Sequence, residues 1–236
     1  MRKNTLFSMA LAAALALPGA SFAATVVNFD DGSEGNLNGT EVFSGLVEVD
    51  GNGKTLGLYN SNCNGNGSTQ FGVSCTGGDP DLASGTAFGT DPQGLVLIIE
   101  ENPGDSTPDD DRRGGTISFS FAQAVVMNAI TLLDLDRDFT NIMLTFFFEG
   151  GGVLSTGLNG ADAVTLLGSE TGDNSLRRYD FSGLAPITGF DFKTTDSGAI
   201  ASLEVTPVPL PAAGWLLIGG LGGLVAMKRR KAKAQA

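Results

Sequence analysis

The residues with most capacity for chemistry fall in GGDPDLASGTAFGTDPQGLVLIIEENPGDSTPDDDRRGGTISF, where carboxylates cluster on both sides of one apolar run. Asp79 and Asp81 sit in a turn, Glu100 ends the run, and Asp109, Asp110 and Asp111 follow in the next loop. Calcium takes six to eight oxygens from carboxylates and backbone carbonyls, which acidic loops supply. If one strand carries both loops to one end of the fold, these six residues make a structural calcium site. The same residues also suit ordinary solvated turns, since Asp-Pro and Asp-Asp-Asp are turn chemistry. LDLDRDFTN offers Asp134, Asp136 and Asp138 at alternate positions, but Phe139 and Thr145 stand where an EF-hand loop needs glycine and a bidentate glutamate. Those three fit a solvated strand edge instead.

Other chemistries are pruned by composition. The chain has no histidine, so Ser-His-Asp and Cys-His mechanisms and His-ligated metals are excluded. Paired-carboxylate chemistry of the glycosidase or lyase type survives. Cys63 and Cys75 are the two cysteines, and with an export signal upstream they are expected to form a disulfide. Between residues 24 and 206, seven basic residues face all 26 acidic ones, a net charge of −19. Phosphate backbones need basic patches, so nucleic acid is not a partner.

The elements that must position these groups follow a period of two. In GGTISFSFAQ, Ile117, Phe119 and Phe121 alternate with Thr116, Ser118 and Ser120, which is a strand with one buried face. Ten further segments read as strands: 25–30, 45–50, 55–60, 95–100, 129–135, 141–149, 164–168, 175–181, 187–194 and 200–205. LVLIIE and IMLTFFF are continuous apolar runs suited to central strands. DGNG at Asp50–Gly53 predicts a hairpin turn joining the strands on either side. Thirty-four glycines without a three-residue period mean many turns. One all-β domain over 24–206 is expected, a two-layer β-sandwich of jelly-roll type.

Both ends carry addresses. Residues 1–23 read as a signal peptide: Arg2 and Lys3, an apolar core from Leu6 to Leu17, then Ser21-Phe22-Ala23 before a cut between Ala23 and Ala24. Near the other end, Ala212 to Met227 is an uncharged run of sixteen residues, a single transmembrane helix of about 24 Å. Trp215 at one end and the basic tail 228–236 at the other are the flanks of a membrane segment, with the tail inside.

Val208-Pro209-Leu210-Pro211-Ala212, a glycine-rich apolar helix and an Arg/Lys cluster, in that order over 207–236, resemble the VPLPA-CTERM sorting signal, a variant of PEP-CTERM. The resemblance implies an exosortase-type membrane transpeptidase as partner. It would cut near the motif and pass the body from the inner membrane to the cell surface or an exopolysaccharide matrix. The body is similar to jelly-roll, galactose-binding-like surface modules. That likeness implies a structural calcium between first and last strands, for which NFDDG at Asn28–Gly32 fits, while Ala201 and Ser202 stand where carboxylates are expected. The expected function is non-enzymatic: a structural or adhesive surface protein. A calcium-dependent carbohydrate-binding module is the alternative, and a carboxylate glycosidase or lyase the second. Extracellular polysaccharide is the partner those readings imply.

Overall fold

The alternation in GGTISFSFAQ grows into the longest strand of the molecule. The computed structural model describes residues 23–37, 39–62, 80–103, 108–135, 142–161, 163–168 and 173–209. The strands in chain order are β1 (Thr25–Val27), β2 (Gly35–Asn36), β3 (Glu41–Phe43), β4 (Val47–Asp50), β5 (Leu56–Asn60), β6 (Leu95–Ile99) and β7 (Gly115–Leu133). They continue with β8 (Met143–Phe148), β9 (Val153–Gly157), β10 (Ala163–Leu166), β11 (Leu176–Asp180), β12 (Ile187–Thr194) and β13 (Ala199–Pro207). The fold is all-β and the ladders are antiparallel. Ala23–Val208 forms one compact unit.

β7 runs 19 residues and absorbs two expected strands, 114–123 and 129–135. Its first part pairs with β4 and β12, and its second with β11 and β13. Between them the register shifts: Val125 lies opposite Ile187 and Ser120 opposite Gly189. Extra residues in one strand bend it and increase its twist, so β7 leaves one half-sheet and enters the other. One half is β3-β4-β7-β12-β8-β9, and the other is β10-β11-β7-β13-β6-β5-β2 with β1 beside β13.

Apolar residues of both halves meet in one cluster, including Val49, Phe119, Phe146 and Phe190 from the first and Leu58, Leu97, Ile130 and Leu203 from the second. Phe119 and Phe190 stack at 4.4 Å between ring centroids, with 4° between their planes. Gly189 makes this close approach possible, because a Cβ there would meet the Phe119 carbonyl oxygen. A second cluster of Tyr59, Leu82, Val96, Ile98, Leu133 and Leu176 covers the opposite face of β5, β6 and β11. Burial on both faces explains why β6 reads as an unbroken apolar run.

Three expectations need correction. The DGNG turn forms as predicted: Asn52 (φ 51°) and Gly53 (φ 87°) are both left-handed, and Lys54 N–H donates to Gly51 C=O at 3.0 Å. It does not close a hairpin, however. β4 pairs with β3 and β7, and β5 with β2 and β6, so the turn carries the chain from one half to the other. Asn52 also reaches Ser118 Oγ on β7 at 2.7 Å, a tertiary contact that overrides the local signal. Second, β8 buries only one face. Leu144 and Phe146 are buried, whereas Met143 and Phe147 are exposed beside the terminal strand β9. Third, β2, β3 and β9 were not expected; each is short and flanked by glycine.

Candidate functional site

Pairing continues past the end of β6 at Ile99. Glu100 pairs with Asp110 across an antiparallel bridge, Glu101 N–H donates to Asp109 C=O at 2.9 Å, and Asp111 N–H donates to Ile99 C=O at 2.7 Å. Four of the six candidate metal residues therefore stand on one acidic hairpin. Their carboxylates are largely drawn into the protein's own contacts.

Asp111 is 2 % exposed. Its carboxylate takes Lys54 Nζ at 2.8 Å and Arg113 Nε at 2.8 Å, with the Arg113 backbone N–H at 2.9 Å. Burial pushes this carboxyl up, but the hydrogen bonds from Arg113 and Lys54 outweigh it and hold it well below the usual carboxylate range. Asp110 is buried, and its Oδ2 accepts the N–H of Gly198, which ties the hairpin to the turn before β13. Glu100 is buried against β5, with Oε1 accepting Asp109 N–H at 3.3 Å. Its Oε2 sits where a Cβ on Gly57 would come within 2.8 Å, so that glycine makes room for the acid.

Asp81 contributes its backbone: the carbonyl accepts both the N–H and the side-chain amide of Asn174, at 2.9 and 2.8 Å. Asp79, Cys63 and Cys75 lie outside the described residues. Among the described residues, no three His, Cys, Asp or Glu side chains form a group able to hold a metal ion. Asp134 is buried, where a solvated edge was expected; Asp136 and Asp138 lie outside the described residues. Position 134 is left-handed (φ 55°), and its N–H donates to Ser175 C=O at 2.8 Å, which sets it into the packed end of β7.

Asn174 was missed by sequence reasoning. At φ 62° its amide nitrogen lies within 2.7–2.9 Å of the carbonyls of Pro80, Asp81 and Ala83, and so clasps the segment that carries Leu82 onto the sheet. The only signal was an asparagine in the turn sequence TGDNS, a residue type tolerant of left-handed backbone.

A separate polar cleft of about 400 Å³ lies where β1 and β13 run side by side. Asn28, Asp30, Asn62, Gln93 and Ser202 line it, with Ala201 at its wall. Residues of NFDDG and Ala201–Ser202 thus line one cleft, with Ala201 and Ser202 in place of the carboxylates that the resemblance implies. Asp30 is the one carboxylate among the described lining residues, and it is engaged: Oδ1 accepts Leu95 N–H at 2.9 Å and Oδ2 accepts the Asn28 amide at 3.0 Å. Gly94 (φ 72°) is required beside it, because a Cβ would collide with the carboxylate. Amides, a hydroxyl and one carboxylate around an open cleft are hydrogen-bonding chemistry.

At the boundaries, Ala23 and Ala24 are exposed just before β1. β13 reaches Pro207, and Val208 N–H donates to Ala124 C=O at 2.8 Å, so the first residue of the proposed motif still docks on β7. Pro209 is exposed, while Leu210, Pro211, Ala212 and the run to Met227 lie outside the described residues. Among the described residues no helix is long and apolar enough to cross a membrane. No family model matches this chain, and no curated protein matches it.

Proposed function

We propose that this chain is an exported, surface-sorted, non-enzymatic protein, a jelly-roll-like two-layer sandwich with a structural or adhesive role in the cell envelope or an exopolysaccharide matrix. The address rests on residues 1–23 and on the VPLPA-type segment 207–236, with an exosortase-type enzyme as processing partner. The role rests on one observation: the buried acids of the hairpin are used as ties between strands. Asp111 binds Lys54 and Arg113, and Asp110 binds the Gly198 amide. A glycosidase would instead need two carboxyls facing a shared groove about 5–10 Å apart. Mass spectrometry of the exported protein tests the address. Loss of Lys228–Ala236 from the surface form, blocked by replacing Pro209, Leu210 and Pro211, is the expected result; surface protein that keeps its tail would sink the proposal.

A second reading, a calcium-dependent carbohydrate-binding module, is favoured by the polar cleft at Asn28, Asp30, Asn62, Gln93 and Ser202. Its lining can satisfy sugar hydroxyls, although no aromatic residue stands among its described lining residues. Calcium belongs to this reading. Glycan-array binding lost in Asn62→Ala and in EDTA would favour it, together with a calcium-specific rise in melting temperature. Equal melting in calcium, magnesium and EDTA, with no glycan bound, leaves the scaffold role.

A further inference from the structure

β9 lies at the end of its half-sheet and, among the described strands, pairs with β8 alone. Phe148 N–H donates to Gly152 C=O at 3.2 Å, so by the alternation of an antiparallel ladder the backbone groups of Val153, Ser155 and Gly157 face away from β8. Val153 is 61 % exposed and Leu154 41 %. Folded proteins guard such edges with lysine, proline or inward charge, and VLSTG carries none of these. The outer strand β3, by contrast, carries Glu41.

Charge decides what fits this edge. Residues 150–168 are 19 residues with a single charge, Asp162, in a body of net −19. Two copies repel over most of their surfaces and can approach closely here. We propose that β9 is a self-association edge, along which a second copy of this chain adds its own β9 antiparallel across a two-fold axis at Ser155. In that register Ser155 pairs with its own equivalent, and Val153 pairs with Gly157 of the second copy. Leu154 lies opposite Thr156 of the second copy on one face. On the other face, Val153 extends the exposed apolar stripe of Met143 and Phe147. The antiparallel direction sets Glu149 towards Asn159 of the second copy, whereas a parallel pairing would oppose two glutamates.

The test uses the full chain. Backbone-paired residues in antiparallel strands have Cα atoms about 5.5 Å apart, within disulfide range. Ser155→Cys should therefore form a reducible covalent dimer on mild oxidation. Val42→Cys, likewise at an exposed position but on β3 (Val42 is 56 % exposed), should not. In sedimentation the wild-type dimer should tighten with added salt and weaken at least tenfold in Val153→Lys. Ser155→Pro removes an outward N–H, along with the hydroxyl contact to Thr145 Oγ1 at 3.0 Å, and should do the same; if it fails to fold, Val153→Lys decides. A wild-type protein that stays monomeric at high concentration would overturn the proposal. So would a dimer that survives Val153→Lys, or equal cross-linking from Ser155→Cys and Val42→Cys.

Discussion

Asp111 shows at single-residue scale how an acidic loop becomes structural. Its folded-state proton affinity is depressed, so its contribution is fully present above the ordinary carboxylate value near 4 and is lost as pH falls below that, towards the folded value. Urea unfolding across this range should show wild-type stability declining on acidification, with a shallower acid slope in Asp111→Asn. Near neutrality, hydrogen bonds to a charged group are worth about 1.5–3 kcal/mol, and the variant should lose an amount of that order. Asn174 allows a sharper comparison. Asn174→Ala removes the donor that holds three carbonyls; Asn174→Asp puts negative charge among the same oxygens and should cost more. Hydrogen exchange at residues 81–84 should accelerate in both. The acids of this hairpin were visible in the sequence. Of their partners, Arg113 stands beside them, but Lys54 and Gly198 were not visible because they are brought in from distant parts of the chain.

Among elements, the period-two signal carried far where one face is buried and failed where the chain passes between the two halves of the sheet. β12 was expected at 187–194, and that is its extent. The two halves of β7 were read as separate strands because the alternation breaks over AQAVVMN, where the strand bends. β3 and β9 lie among glycines and are too short to display a period. DGNG revealed its turn geometry but not its partners, since local sequence fixes left-handed residues and tertiary packing fixes which strands meet. The join between halves can be probed at its core. Phe190→Ala removes a fully buried ring stacked on Phe119, and such truncations cost about 3–5 kcal/mol. Gly189→Ala should also destabilise, although it adds only a methyl group, because the obstacle is the Phe119 backbone and cannot rotate away. Thermal melts of the two variants check both expectations.

At the scale of the molecule, four of the seven cations of the body are turned to internal use. Lys54 and Arg113 serve Asp111, Arg178 spans Asp180 and Glu204 at 2.7 and 2.8 Å, and Arg177 is buried beside Tyr179. Burial pushes the Tyr179 hydroxyl up, with the Arg177 charge opposing it. The remaining surface is strongly anionic and repels itself. Screening at physiological salt reaches about 8 Å, so added sodium chloride should raise the melting temperature from its low-salt value. A fall would mean that the exposed sides of the ion pairs outweigh the repulsion.

The placement of β13 has a mechanical consequence. It is flanked by β7 on one side and by β6 and β1 on the other, and the segment that follows leaves directly at Pro207–Val208. Tension entering through Val208 is directed along the strand, while antiparallel hydrogen bonds lie across it. The ladder to β7 is then loaded in shear, its bonds sharing the force instead of opening one after another. Thr25 lies opposite Val205, so β1 begins at the end of the ladder where β13 finishes. A body held through Val208 would yield last at the strand that carries the load.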